Sequence, residues 1–138
     1  MLHLTTDAFE EMAAWARRRL PEEACGLLAG RRQGDEAWVE RVFCLENEDH
    51  SPEHFTISAA SQLLCIREAR SAGLQVLGNW HSHPQTPARP SKEDLRLAND
   101  PGAIYVIVSL EDPDWPSVVA YTQGEKRKVS RLMVTHDA

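Results

Sequence analysis

Residues 77–95 read L-G-N-W-H-S-H-P-Q-T-P-A-R-P-S-K-E-D-L, and no other part of this 138-residue chain restricts the fold as tightly. The apolar run "LQVLGNWH" reads as a buried strand. His81 and His83 stand at its end. Side chains two apart on a strand point to the same side, so both imidazoles can converge on one point while Ser82 points away. "PQTPARP" then holds three prolines in seven residues, which removes donors and fixes φ, so it cannot be regular structure. Ser91 caps the helix that "SKEDLRLAND" begins, and Asp94 falls in its first turn, where the helix dipole keeps a carboxylate ionised.

Two neutral imidazoles and one carboxylate form an N₂O donor set that suits zinc, with the fourth tetrahedral position open for water. Zinc lowers the pKa of such a water toward neutrality. Each piece alone is commonplace. A lone pair of histidines is usually not a site, and Ser91 with Asp94 makes an ordinary capping box. The joint spacing H-x-H-x7-S-x-x-D within one short window is what carries the signal.

The rest of the chain supplies the frame. "TTDAFEEMAAWARRRLP" predicts a helix capped by Asp7, with Glu10 completing a capping box and Pro21 as the stop. "EACGLLAGRR" and "EAWVERVFCLEN" predict a hairpin around the turn "QGD" at 33–35. "EDHSPEH" is a polar loop, and "HFTI" is a candidate short strand. A helix over roughly 58–72 offers Ala60, Leu63, Leu64 and Ile66 as its apolar face, and Gly73 ends it. "AIYVIVSL", "SVVAYTQ" and "KVSRLMVTH" are three closing strands, the last two joined around Gly124. Helices interspersed among strands predict an α/β sandwich with a mixed sheet in one domain over residues 1–138.

Composition closes off several functions. No run approaches the roughly 18 apolar residues of a membrane span, and the N-terminus has no signal-peptide pattern. The net charge of −6 argues against a general affinity for nucleic acid, and no phosphate-binding glycine motif is present. Cys25, Cys44 and Cys65 are an odd number without CxxC spacing, which points to free thiols in a reducing cytoplasm.

The combined H-S-H-P, Ser91 and Asp94 spacing resembles the JAMM motif of the JAB/MPN metalloprotease family. "PEEACGLLAG" at 21–30 is similar to that family's P-x-E-x-C-G-L-L-x-G stretch, which places its glutamate at Glu23 rather than Glu22. The resemblance covers nearly the whole chain and departs at no ligand position. It implies an MPN/JAB-like, cytidine-deaminase-like fold, a mixed β-sheet flanked by helices. It implies one zinc ion per chain, with His81, His83 and Asp94 as ligands. Glu23 is then the general base that takes a proton from the metal-activated water and returns it to the leaving amine. Ser91 is similar to the family serine that stabilises the oxyanion, alongside its role as a cap.

The compact length resembles the bacterial and archaeal branch. The implied reaction is hydrolysis of the amide after the Gly-Gly tail of a ubiquitin-like or sulfur-carrier protein. Family members that lose their ligands serve as catalytically silent binding scaffolds, and the intact set of four residues argues against that reading here. Exposed strand edges leave a dimer open. Cys25 reads as a buried structural thiol, Trp80 as packing, and His50 and His54 as solvated.

Overall fold

The computed structural model describes residues 1–124 and 129–137. The chain opens on a short strand, β1 (Leu2–Thr5), followed by α1 (Thr6–Arg19) and the hairpin β2 (Cys25–Gln33) and β3 (Glu36–Leu45). After a loop come α2 (Ala59–Ser71), β4 (Gln75–His83), α3 (Lys92–Leu97), β5 (Ile104–Ser109) and β6 (Ser117–Gln123). Two four-residue strands close it, β7 (Val129–Leu132) and β8 (Val134–Asp137).

The strands of the described residues form one mixed sheet in the order β7-β6-β5-β4-β2-β3-β1-β8. β4 lies inside it, antiparallel to β2 and parallel to β5. The segment "KVSRLMVTH" is not one strand. It breaks at Met133, so that β7 pairs with β6 while β8 pairs with β1. These two consecutive strands occupy opposite ends of the order, which curls the sheet round on itself. Lys128, at the start of that segment, and the residues after Gly124 up to it lie outside the described residues. β1 was not expected, because four residues are too few to display a period, although its burial does alternate.

Two apolar layers cover the sheet. On one side α1 buries Met12, Ala13 and Ala16, and the cluster there joins Leu28, Trp80, Val106 and Val108. On the other side Cys65 and Ala69 of α2 pack on Leu27, Ala29 and Phe43. Next to that layer Ala98, beyond α3, packs with Tyr105, Ile107 and Tyr121. A bulge sets the faces of β4. Gly78 is opposite Leu28 and Val76 opposite Ala29, so Leu77 is the extra residue. Trp80 then faces the α1 side, and its indole N–H donates to the Phe43 carbonyl at 3.1 Å.

Several local expectations are corrected. The cap of α1 is Thr5, whose hydroxyl accepts from the Ala8 N–H, and Asp7 sits in the first turn instead. α2 does not bury the face built on Leu63 and Leu64, which are 50% and 64% exposed. It buries Cys65 and Ala69, one turn apart, because small side chains let the helix lie close on the sheet. "HFTI" is irregular rather than a strand. The Asn47 side chain takes two of that stretch's backbone groups, donating to His54 O and accepting from Thr56 N, while the Thr56 carbonyl accepts from the Glu48 N–H at 3.0 Å.

Candidate metal centre

Asn79, His81 and His83 alternate onto the face of β4 turned away from α1. The two histidines are buried, and their Nε2 atoms lie 3.2 Å apart. α3 brings Asp94 to the same point. Its Oδ1 is 3.1 Å from His81 Nε2 and its Oδ2 is 3.0 Å from His83 Nε2. Two ligands of a tetrahedral ion with bonds of about 2.0 Å stand about 3.3 Å apart, close to these separations. Asp94 is held by its own helix start. Ser91 N–H donates to Asp94 Oδ2 at 2.9 Å, and Asp94 N–H donates to Ser91 Oγ at 3.0 Å. Ser91 is thus the cap, as its position predicted, and its hydroxyl proton stays uncommitted to that box.

His83 Nδ1 lies 2.9 Å from the Pro87 carbonyl, an acceptor, so Nδ1 carries the proton there. In the neutral ring this leaves Nε2 as a lone pair aimed at His81 and Asp94. The proline loop therefore fixes the ring form that a ligand needs. Thr86 is anchored in turn by Ser109, whose hydroxyl donates to its carbonyl at 2.6 Å. A lone pair, a second imidazole nitrogen and a carboxylate facing one another hold more acceptors than protons. A cation satisfies that donor set.

Glu23 precedes β2 rather than lying on a strand, yet it is only 3% exposed. Its carboxylate, with His81 and His83, offers ligand atoms within 4.8 Å of one another. Oε1 has no hydrogen-bond partner. Burial pushes the Glu23 carboxyl up to about 8, with Asp94 and Glu53 adding and His83 opposing. Burial also lowers the pKa of His81. For His83 burial acts in the same sense but loses to hydrogen bonds with Asp94 and Pro87, and the net shift is upward. Burial works against ionising Asp94, but the two histidines beside it and the Ser91 N–H outweigh it and hold the carboxyl far below its usual range.

Glu22 is turned away, with Oε1 3.2 Å from His50 Nδ1. Cys25 is fully buried, and its thiol is pushed up to about 12, first by burial and then by the charge of Glu23. His50 and His54 keep more than half of their side-chain surface in solvent. Three residues close to the centre carried no sequence signal of their own. Ser82 accepts from the Ala24 N–H at 2.7 Å and donates its own N–H to the Ala24 carbonyl at 2.9 Å. It clips the residue after Glu23 to the histidine strand, so it is not incidental to the site. Phe55 stacks on His81 with ring centroids 4.8 Å apart. Asn47 donates to the Glu23 carbonyl at 3.1 Å. Phe55, the lone aromatic of its polar loop, was the nearest thing to a clue.

Phe55, Asn79, Leu97, Tyr105 and Tyr121 enclose a small cavity of about 40 Å³ against His81 and Asp94. A larger open depression of about 580 Å³ lies at the far end of β2, beside Arg31, Arg32 and Trp38, and holds none of these groups.

With this geometry in place, known proteins supply the comparison. The model of prokaryotic homologs of the JAB domain matches residues 5–121. The CysO-cysteine peptidase of Mycobacterium tuberculosis is 38% identical over 113 residues, 82% of this chain and 76% of that protein. A desampylase of Pyrococcus furiosus is 31% identical over 112 residues, 81% of this chain and 74% of the relative. The solution structure of a Desulfitobacterium hafniense protein superposes with a TM-score of 0.91 at 48% identity, covering 99% of this chain and 93% of that one.

Proposed function

Because this chain belongs to the prokaryotic JAB family, we propose that it is a zinc-dependent peptidase acting after the Gly-Gly tail of a ubiquitin-like or sulfur-carrier protein. The peptidase class follows from relatives named a CysO-cysteine peptidase and a desampylase. The observation that carries the finer reading is the meeting of His81, His83 and Asp94 within 3.0–3.2 Å beside the unpaired oxygen of Glu23.

His81, His83 and Asp94 would hold the ion, through two nitrogens and a carboxylate oxygen. Zinc bound there supplies Lewis acidity, polarising a carbonyl and activating water near neutral pH. Glu23 does the proton work. Its carboxylate takes the proton of the attacking water as the C–O bond forms, and passes it to the amide nitrogen as the C–N bond breaks. The Ser91 hydroxyl, whose proton the capping box does not use, donates to the developing oxyanion.

The setting favours a slender substrate. All three metal-binding side chains are at most 9% exposed, and the adjoining cavity is small, about 40 Å³. Two glycines carry no side chains, so their backbone can come close to such a buried centre. The experiment is an intact-mass assay of a carrier ending in Gly-Gly plus one further residue. Metal-loaded protein cleaves after the second glycine, and Glu23→Gln lowers kcat by roughly 10²–10⁴-fold while keeping its metal. Cleavage by Glu23→Gln at the wild-type rate removes Glu23 as the base.

A further inference from the structure

Glu23 belongs to no strand, so no sheet ladder fixes its backbone. Two bonds from the segment 47–56 hold it instead. Its N–H donates to Ser51 O at 2.8 Å, and its carbonyl accepts from Asn47 Nδ2 at 3.1 Å. Asn47 is 2% exposed and saturated. Nδ2 also donates to His54 O at 3.0 Å, while Oδ1 accepts from Asp49 N at 3.0 Å and Thr56 N at 3.2 Å. An ordinary Asx turn needs only the bond to Asp49. The other three reach Glu23 and the two residues flanking Phe55, whose ring lies on His81. One amide therefore ties the backbone of the carboxylate to the aromatic that covers a metal-binding histidine.

We propose that Asn47 is a positioning residue for the reaction, fixing Glu23 relative to His81 through its bonds to Glu23 O and to the segment carrying Phe55. This rests on the reading of Glu23 as the base. The metal-binding side chains are held independently, by β4, by the Pro87 carbonyl and by the capping box of α3. Losing Asn47 should displace the base without releasing the ion. Misplacing a reacting group by an ångström costs on the order of 100-fold in rate.

The test uses zinc-loaded, ¹⁵N-labelled protein as wild type, Asn47→Ala and Asn47→Asp. The aspartate variant keeps the acceptors for Asp49 and Thr56, and so keeps the loop closed, but loses both donors. The expected result has three parts. kcat on the Gly-Gly-tailed carrier falls roughly 100-fold with KM little changed. Zinc content stays at the wild-type level. The Glu23 amide exchanges with solvent at least roughly tenfold faster while the Trp80 amide, inside the sheet, does not. Unchanged protection of the Glu23 amide overturns the inference, as does faster exchange throughout β4 or a kcat within twofold of wild type. If wild-type protein cleaves no such tail, the substrate reading fails, and the exchange result alone decides the role of Asn47.

Discussion

Ser82 shows how one side chain can serve a site from the wrong face of its strand. It points away from His81 and His83 and toward Ala24, from whose N–H its hydroxyl accepts and to whose carbonyl its own N–H donates. Ser82→Ala leaves the Ala24 N–H buried without a partner, a cost of about 1–3 kcal/mol measurable by chemical denaturation. The same variant should lower kcat, because Ala24 follows Glu23. Cys44 gives a prediction in pH. Burial pushes its thiol up to about 12, with Glu11 adding and Arg18 opposing. Its stabilising share is complete below the ordinary thiol pKa of 9.0 and is lost as pH climbs toward 12, because the unfolded chain ionises first. Cys44→Ser should flatten the fall in unfolding free energy between those two values. At this scale the sequence was legible where the candidate site is written locally: His81, His83, Ser91 and Asp94 lie within fourteen residues. Ser82 and Asn47 were not legible in these roles. They act on residues 58 and 24 positions away, through contacts that exist only once the sheet is formed.

Among the elements, β4 decides where the site is. The bulge at Leu77 sends Trp80 and Ser82 to one face and Asn79, His81 and His83 to the other. Gly78 follows that bulge, and a Cβ built there would strike the backbone of Ile104 on the neighbouring strand. Backbone cannot yield as a flexible side chain can. Gly78→Ala should therefore cost at least about 1–3 kcal/mol in denaturant unfolding and lower metal uptake by shifting β4 against β5. Long apolar runs made β2, β4 and β5 readable from sequence alone. α2 misled because its larger apolar residues, Leu63 and Leu64, face solvent while Cys65 and Ala69 meet the sheet. Periodicity reports which side chains are apolar, and the flatness of the partner surface decides which of them pack. The stretch "HFTI" had strand-like composition, but the Asn47 amide takes His54 O and Thr56 N, and Glu48 and Gln62 take the Thr56 and Ile57 carbonyls.

In the whole molecule, curling the sheet brings the last strand back beside the first, with Leu2 N–H bonded to Met133 O at 2.8 Å. The break at Met133 that permits this was hidden inside one apolar run. No helix of the described residues is long and apolar enough to cross a membrane. An ion at the centre would tie α3 to β4 across the proline loop, which no apolar cluster of the described residues spans. Zinc at a thousandfold excess over its dissociation constant should then raise the unfolding free energy by about 4 kcal/mol, and chelator should reverse the gain. Asp94→Ala should show no such response in thermal unfolding.

Glu23, His81, His83 and Asp94, from three separate segments, would together build a metal-dependent hydrolase. Elemental analysis after zinc reconstitution and desalting tests it most directly, with wild type beside a His81→Ala, His83→Ala double variant. About one zinc per wild-type chain and close to none in the variant is the expected result for an N₂O donor set with its fourth position open. A wild-type chain that retains only a small fraction of one zinc would contradict it, and would make the fold a binding scaffold.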